Sequence, residues 1–187
     1  LKEFFRDKSR DNLYQNLKGI GVDCNLAERG INEEKLFNPW HRRSLGIINI
    51  NSDDPIKYIN IIKQDGGKNK PPRWWYFFAI PDNKVISKEN AIEVKSIRKK
   101  STPLIGKVES VKWEPNSNSY NLARIFTEDN DINSLSISLG DIKVQSLHDN
   151  FSGFSIELEF KVKEKKLDSD SWESLNKISR HCLDINF

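Results

Sequence analysis

At 187 residues, with 36% hydrophobic and 30% charged positions and a mean hydropathy of -0.66, the chain is long enough to close a core without disulfides or a structural metal. That balance reads as soluble and globular, and it excludes a disordered or membrane-embedded chain. Thirty Lys and Arg against 27 Asp and Glu leave a net charge of +3, too small to attract a polyanion unless the bases cluster locally.

In chain order, residues 1–20 carry apolar positions at Leu1, Phe4, Phe5, Leu13, Tyr14 and Leu17, which predicts an amphipathic helix or two short ones. Residues 23–30 open on Asp23 and close on Gly30, the signals of a two-turn helix, and a short turn from Asn32 through Leu36 and Phe37 should stop before Pro39. The first 40 residues are therefore expected to be mostly helical. At Leu45 the period changes. Residues 45–50 and 56–63 are rich in β-branched side chains around a five-residue turn, a hairpin pattern. A loop containing Asp65-Gly66-Gly67 and Pro71-Pro72 then leads into residues 74–80, WWYFFAI, too short for a membrane span and of the right length for a central strand covered on both faces.

Further strands are expected at 91–98, 107–113, 135–139, 142–147 and 154–163. The last alternates Phe154, Ile156, Leu158, Phe160 and Val162 with polar residues, as a half-buried strand does. Between them, 116–134 offers one short helix at 122–126. The chain ends in a helix over 170–185, opened by Asp170 and Glu173 as a capping box, with Trp172, Leu175, Ile178, Cys182 and Ile185 as its apolar stripe. The expected fold is a single α+β domain: a mainly antiparallel sheet of about seven or eight strands, most simply a meander, with a helical N-terminal segment and a C-terminal helix packed on one face. The 44–163 region is expected to be β-rich.

The motif that carries chemistry is Pro81-Asp82 followed, ten residues on, by Glu93-Val94-Lys95. Of six Asp/Glu-x-Lys triplets, only the one at Glu93 has a Pro-Asp at a plausible distance upstream. Alternation places Glu93 and Lys95 on one face of their strand and Ile92 and Val94 on the other, while residues 83–87 would return Asp82 towards them. This arrangement resembles the active-site signature of the PD-(D/E)xK nucleases. The resemblance implies Asp82 and Glu93 as ligands of Mg²⁺ or Mn²⁺ and Lys95 as the group stabilising charge beside the attacking water. The bland alternative is a turn made by Asp82 and a solvated strand face bearing Glu93 and Lys95.

Basic and aromatic residues interleave at Trp40-His41-Arg42-Arg43, from Lys68 through Lys70 and Arg73 to Trp75, and in the run from Lys95 to Arg98, Lys99 and Lys100. Such mixtures bind nucleic acid through phosphate contacts and base stacking, although consecutive strand aromatics are also ordinary core. His41, His148 and His181 are too scattered for a zinc set, and no phosphate-binding glycine loop or nucleophile elbow is present. Cys24 and Cys182 read as free thiols, and the charged start, without a signal peptide, points to the cytoplasm.

Three functions follow, in order: a non-catalytic binding or interaction domain without a cofactor, its partner a protein or nucleic acid; a metal-dependent nuclease; and a non-catalytic nucleic-acid-binding domain using Arg42, Arg43, Lys68, Lys70, Arg73, Arg98, Lys99 and Lys100.

Overall fold

The computed structural model describes residues 7–38, 40, 42–84, 87–102, 106–146 and 148–186. Among these residues, eight antiparallel strands form one sheet: β1 (Cys24–Leu26), β2 (Arg43–Ile50), β3 (Tyr58–Gln64), β4 (Arg73–Pro81), β5 (Glu93–Lys100), β6 (Val108–Pro115), β7 (Ile142–Gln145) and β8 (Gly153–Lys161). Their order is β1-β2-β3-β4-β8-β7-β5-β6. The α-helices among the described residues, α1 (Ser9–Gly19), α2 (Tyr120–Glu128), α3 (Asn130–Leu139) and α4 (Ser169–Leu183), complete an α+β fold.

The run WWYFFAI makes β4, and its neighbours explain why every residue in it is apolar. Trp74, Tyr76, Phe78 and Ile80 face a large core shared with Leu13 and Leu17 of α1, Phe126 of α2, Leu135 of α3 and Leu175 and Ile178 of α4. On the opposite face, Trp75, Phe77 and Ala79 join Ile62 and Phe37, with Leu36, Tyr58 and Phe151 packed around them. A strand buried on both sides needs no polar alternation. β8 beside it keeps alternation over its second half, where Leu158 and Phe160 are buried and Glu157 and Glu159 are half-buried.

Gly153 lets β8 start against the end of β4. Its φ is +138°, and a Cβ there would lie 2.2 Å from the Ile80 carbonyl oxygen.

Four expectations are corrected. Residues 23–30 are not helical: Cys24 to Leu26 form β1, pairing Cys24 with Ile50 and Leu26 with Ile48 along the free edge of β2. Edge pairing and burial of Cys24 outweigh a two-turn helix with no apolar stripe to bury. With a 3-10 turn at Asn32–Lys35, α1 is then the only α-helix among the described residues before 40. Residues 135–139 are not a strand but the end of α3. The Asp129 side chain caps α3 by accepting from the Asp131 and Ile132 N–H groups, and Ile132, Leu135, Ser136 and Leu139 are its buried stripe. The helix expected at 122–126 is present as α2, and α3 is a second helix within the β-rich 44–163 region.

The meander fails as well: β4 is followed in space by β8, and β7 joins β8 to β5. Finally, α4 is capped by Asp168, which accepts from the Ser171 N–H at 2.8 Å, and not by Asp170. Leu1, Phe4, Phe5, Pro39, His41, Val85, Ile86 and Leu147, each part of an expectation above, lie outside the described residues.

Candidate nucleic-acid interface

Asp82 and Glu93 are not brought together. Two strands, β8 and β7, lie between β4 and β5, so the strand ends that carry them are separated by three strand spacings, about 14 Å. They also belong to opposite faces. The Asp82 N–H extends the ladder to the Ser152 carbonyl, and the pleat puts Asp82 on the side of Ile80, whereas Glu93 follows buried Ile92 onto the other side.

Asp82 accepts from the Lys84 N–H at 2.9 Å, a turn built by its own side chain. Glu93 does share its face with Lys95, at 2.6 Å, and with Lys143 of β7, at 3.0 Å. Burial works against its charge, yet hydrogen bonds from Lys95 and Lys143 hold the carboxyl below the usual range. Among the described residues, no three His, Cys, Asp or Glu side chains cluster as a metal site. What the geometry offers is an ion-paired strand face.

The basic residues behave differently. In an antiparallel sheet, alternate strand termini meet, and here β2 begins, β3 ends, β4 begins, β8 ends, β5 ends and β6 begins at one edge of the molecule. The registers set Gln64 beside Arg73 and Arg73 beside Lys161. Arg42, Arg43, Lys68, Lys70, Arg73, Arg98, Lys99 and Lys100 therefore gather at this end from three separate segments. From β2 to β6 the end spans six strand spacings, about 30 Å.

Charge at this end is far from balanced. Most carboxylates there are engaged: Asp7 by Lys63 at 2.5 Å, Asp65 by Arg43 at 2.8 Å, Glu159 by Arg73 at 3.2 Å, Asp141 by Arg98 at 2.8 Å, and Glu164 by the Tyr76 hydroxyl at 3.2 Å, while Glu109 of β6 is exposed among the lysines. Lys165 caps the end of α3 through the Ser138 carbonyl. That leaves Lys68, Lys70, Lys99, Lys100, Lys107, Lys161, Lys163 and Lys166 exposed and without a carboxylate partner among the described residues. The opposite end, with the connections after β2, β4 and β7, carries Asp53, Asp54, Asp82, Glu89 and Asp149 against Lys57, Lys84 and Lys88. A net charge of +3 conceals a molecule with one basic pole.

Lys107, Lys161, Lys163 and Lys166 were not among the residues read from the sequence as binding candidates. The alternating charges of 161–166 were visible, but only the pairing of β8 with β4 brings them beside Arg73.

The face opposite the helices adds polar groups of a different kind. Glu157, level with Phe77 and Lys143, has its carboxyl raised above the usual range by burial, which Lys143 only partly opposes. Ser155 Oγ and His148 Nε2 are buried with no hydrogen-bond partner among the described residues. Where this face meets the basic end, the Arg42 guanidinium lies 3.9 Å from the centroid of the Trp75 ring.

Comparison of the chain with protein-family models, with curated proteins and with solved structures gives no match. No helix among the described residues is long and apolar enough to cross a membrane.

Proposed function

We propose that this protein is a non-catalytic binding domain that holds the phosphate backbone of a nucleic acid against its basic pole. The observation that carries the reading is the convergence of unpaired lysines from the loop before β4, the end of β5, the start of β6 and the segment after β8 onto one surface about 30 Å across. Unpaired surface lysines repel one another and contribute little to stability, so their collection at one pole is accounted for by an anionic partner that lies across the strand ends. Loops and strand ends on a rigid sheet are well suited to this, because the scaffold fixes the spacing of the charges while the long side chains adapt to the backbone.

The test is the salt dependence of affinity for a fluorescent 20-nucleotide strand. Four to six phosphate contacts to a single strand give a slope of log K against log salt of about -3 to -4, from about -0.7 per contact. Replacing Lys99, Lys100, Lys161 and Lys163 together by Ala should flatten that slope by roughly 3, while each change alters folding stability by no more than about 0.5 kcal/mol. A flat slope, or no binding at 50 mM salt, overturns the proposal.

A further inference from the structure

Of the five tryptophans, Trp74, Trp75, Trp113 and Trp172 are buried, and Trp40 is 76% exposed. An indole in water forgoes a large apolar burial. Phe37, just before it, adopts φ +61°, a left-handed conformation costly for an aromatic residue. Its ring is anchored on the sheet, stacked on Phe77 at 5.5 Å and meeting Phe151 edge-on at 5.0 Å.

The Asn38 side chain then bonds to the Arg42 backbone. Its Oδ1 accepts from the Arg42 N–H at 2.8 Å and its Nδ2 donates to the Arg42 carbonyl, so Asn38 and Arg42, on either side of Trp40 in the chain, are tied to each other. Beside the loop runs a groove of about 290 Å³, lined by Gly30, Ile31, Glu34, Lys35, Asn38 and Arg42. Arg42 sits over Trp75, 3.9 Å from the ring centroid, and forms no ion pair among the described residues, its nearest carboxyl influence being that of Glu157 on the same face, so its guanidinium can still take a phosphate.

We propose that Trp40 is a stacking platform for an unpaired base and that Arg42 holds the adjoining phosphate, which makes single-stranded nucleic acid the ligand. The proposal rests on the reading of the basic pole as a nucleic-acid surface and adds to it a site that recognises bases. In a duplex both faces of each base are already stacked, whereas a splayed base has a π-face to offer an indole. Cation and ring stand two residues apart in the chain, within about 7 Å along the backbone, so one nucleotide can engage both.

The experiment measures fluorescence anisotropy with a labelled 20-nucleotide oligo-dT strand, a base-free strand of the same length and a 20-base-pair duplex. Each is titrated with the wild type, Trp40→Ala and Trp40→Phe, and circular dichroism checks each fold. The expected results are tighter binding of oligo-dT than of the base-free strand or the duplex, a loss of about tenfold for oligo-dT in Trp40→Ala, and retention of most of that affinity in Trp40→Phe. The base-free strand should not distinguish the three proteins. If Trp40→Ala binds oligo-dT as the wild type does, or if the duplex binds as tightly as oligo-dT, the stacking site is overturned and the basic pole stands. If the wild type binds none of the three, the basic-pole reading fails, and the stacking site with it.

Discussion

His148 is a residue that folding discharges. Its ring meets Phe37 edge-on at 4.6 Å and lies 5.7 Å from Phe151. Burial pulls its pKa down to about 4, against a smaller opposing effect of its hydrogen bond to the Gln145 backbone. A base whose folded pKa is depressed contributes stability that is full above its unfolded value of about 6.5 and is lost as pH falls towards the folded value. Urea unfolding should therefore show a loss of about 2 kcal/mol between pH 7.5 and pH 5. His148→Phe should remove most of that loss. A pH response equal in wild type and variant would show that the ring stays accessible to protons. The raised carboxyl of Glu157 works in the other direction, favouring the fold as pH falls, so the variant is needed to isolate the histidine. In the sequence His148 was one of three scattered histidines, because the aromatic rings that bury it come from positions 37 and 151.

At the scale of elements, local signals competed and tertiary contacts decided. Asp168, Asp170 and Glu173 all stand near the start of α4, and spacing alone favoured the later pair. The Asp168 backbone is extended and its carboxylate accepts from the Ser171 N–H, as a cap must, while Asp170 lies inside the first turn. Asp168→Ala should cost about 1 kcal/mol in chemical denaturation, and Asp170→Ala roughly half of that or less. The side-chain hydroxyl and the N–H of Ser171 hold the Asp168 carboxyl below its usual range. The difference between wild type and Asp168→Ala is therefore full above about pH 4 and shrinks as pH falls through the lowered pKa. Equal losses in the two variants would return the cap to Asp170. Residues 135–139 show the same competition. Leu-Ser-Ile-Ser-Leu alternates like a strand, yet Leu135 and Leu139 also continue the helical spacing from Ile132, and the Asp129 cap starts that helix.

For the whole molecule, the decisive feature is where β8 sits. It pairs along its full length with β4 on one side and with β7 on the other, so the last quarter of the chain joins the two halves of the sheet. Truncation before Gly153 removes β8 and α4, strips partners from β4 and β7, and uncovers one side of the core. The shortened chain should lose near-UV circular dichroism and cooperative unfolding altogether, and a cooperative transition in it would show that the first four strands form a core of their own. Pairing so many distant segments also implies folding in milliseconds to seconds rather than microseconds. The same topology produces the basic pole, since β8 carries Lys161 and the segment behind it to the side of Arg73 and the loop of Lys68 and Lys70.

The fold class, the central strand, the β2–β3 hairpin, the stripe of α4 and the β8 alternation as far as Phe160 were legible from residue order, whereas Val162, expected on the core face, lies past the strand and is exposed. Each depends on periodicity within one segment, and burial of an apolar face rewards that periodicity wherever the segment packs. Strand order, the edge strand at Cys24–Leu26 and the separation of Asp82 from Glu93 were not legible, because they depend on which distant segment supplies the missing backbone partners. The candidate site divides along the same line. Arg42, Lys68, Lys99 and their neighbours were recognisable as charge beside aromatics, and the exposed Trp40 stood among them in the chain. Only the antiparallel register, by turning three stretches of sequence towards one end of the sheet, makes a single surface of them, and only the structure shows Trp40 as the exposed tryptophan beside it.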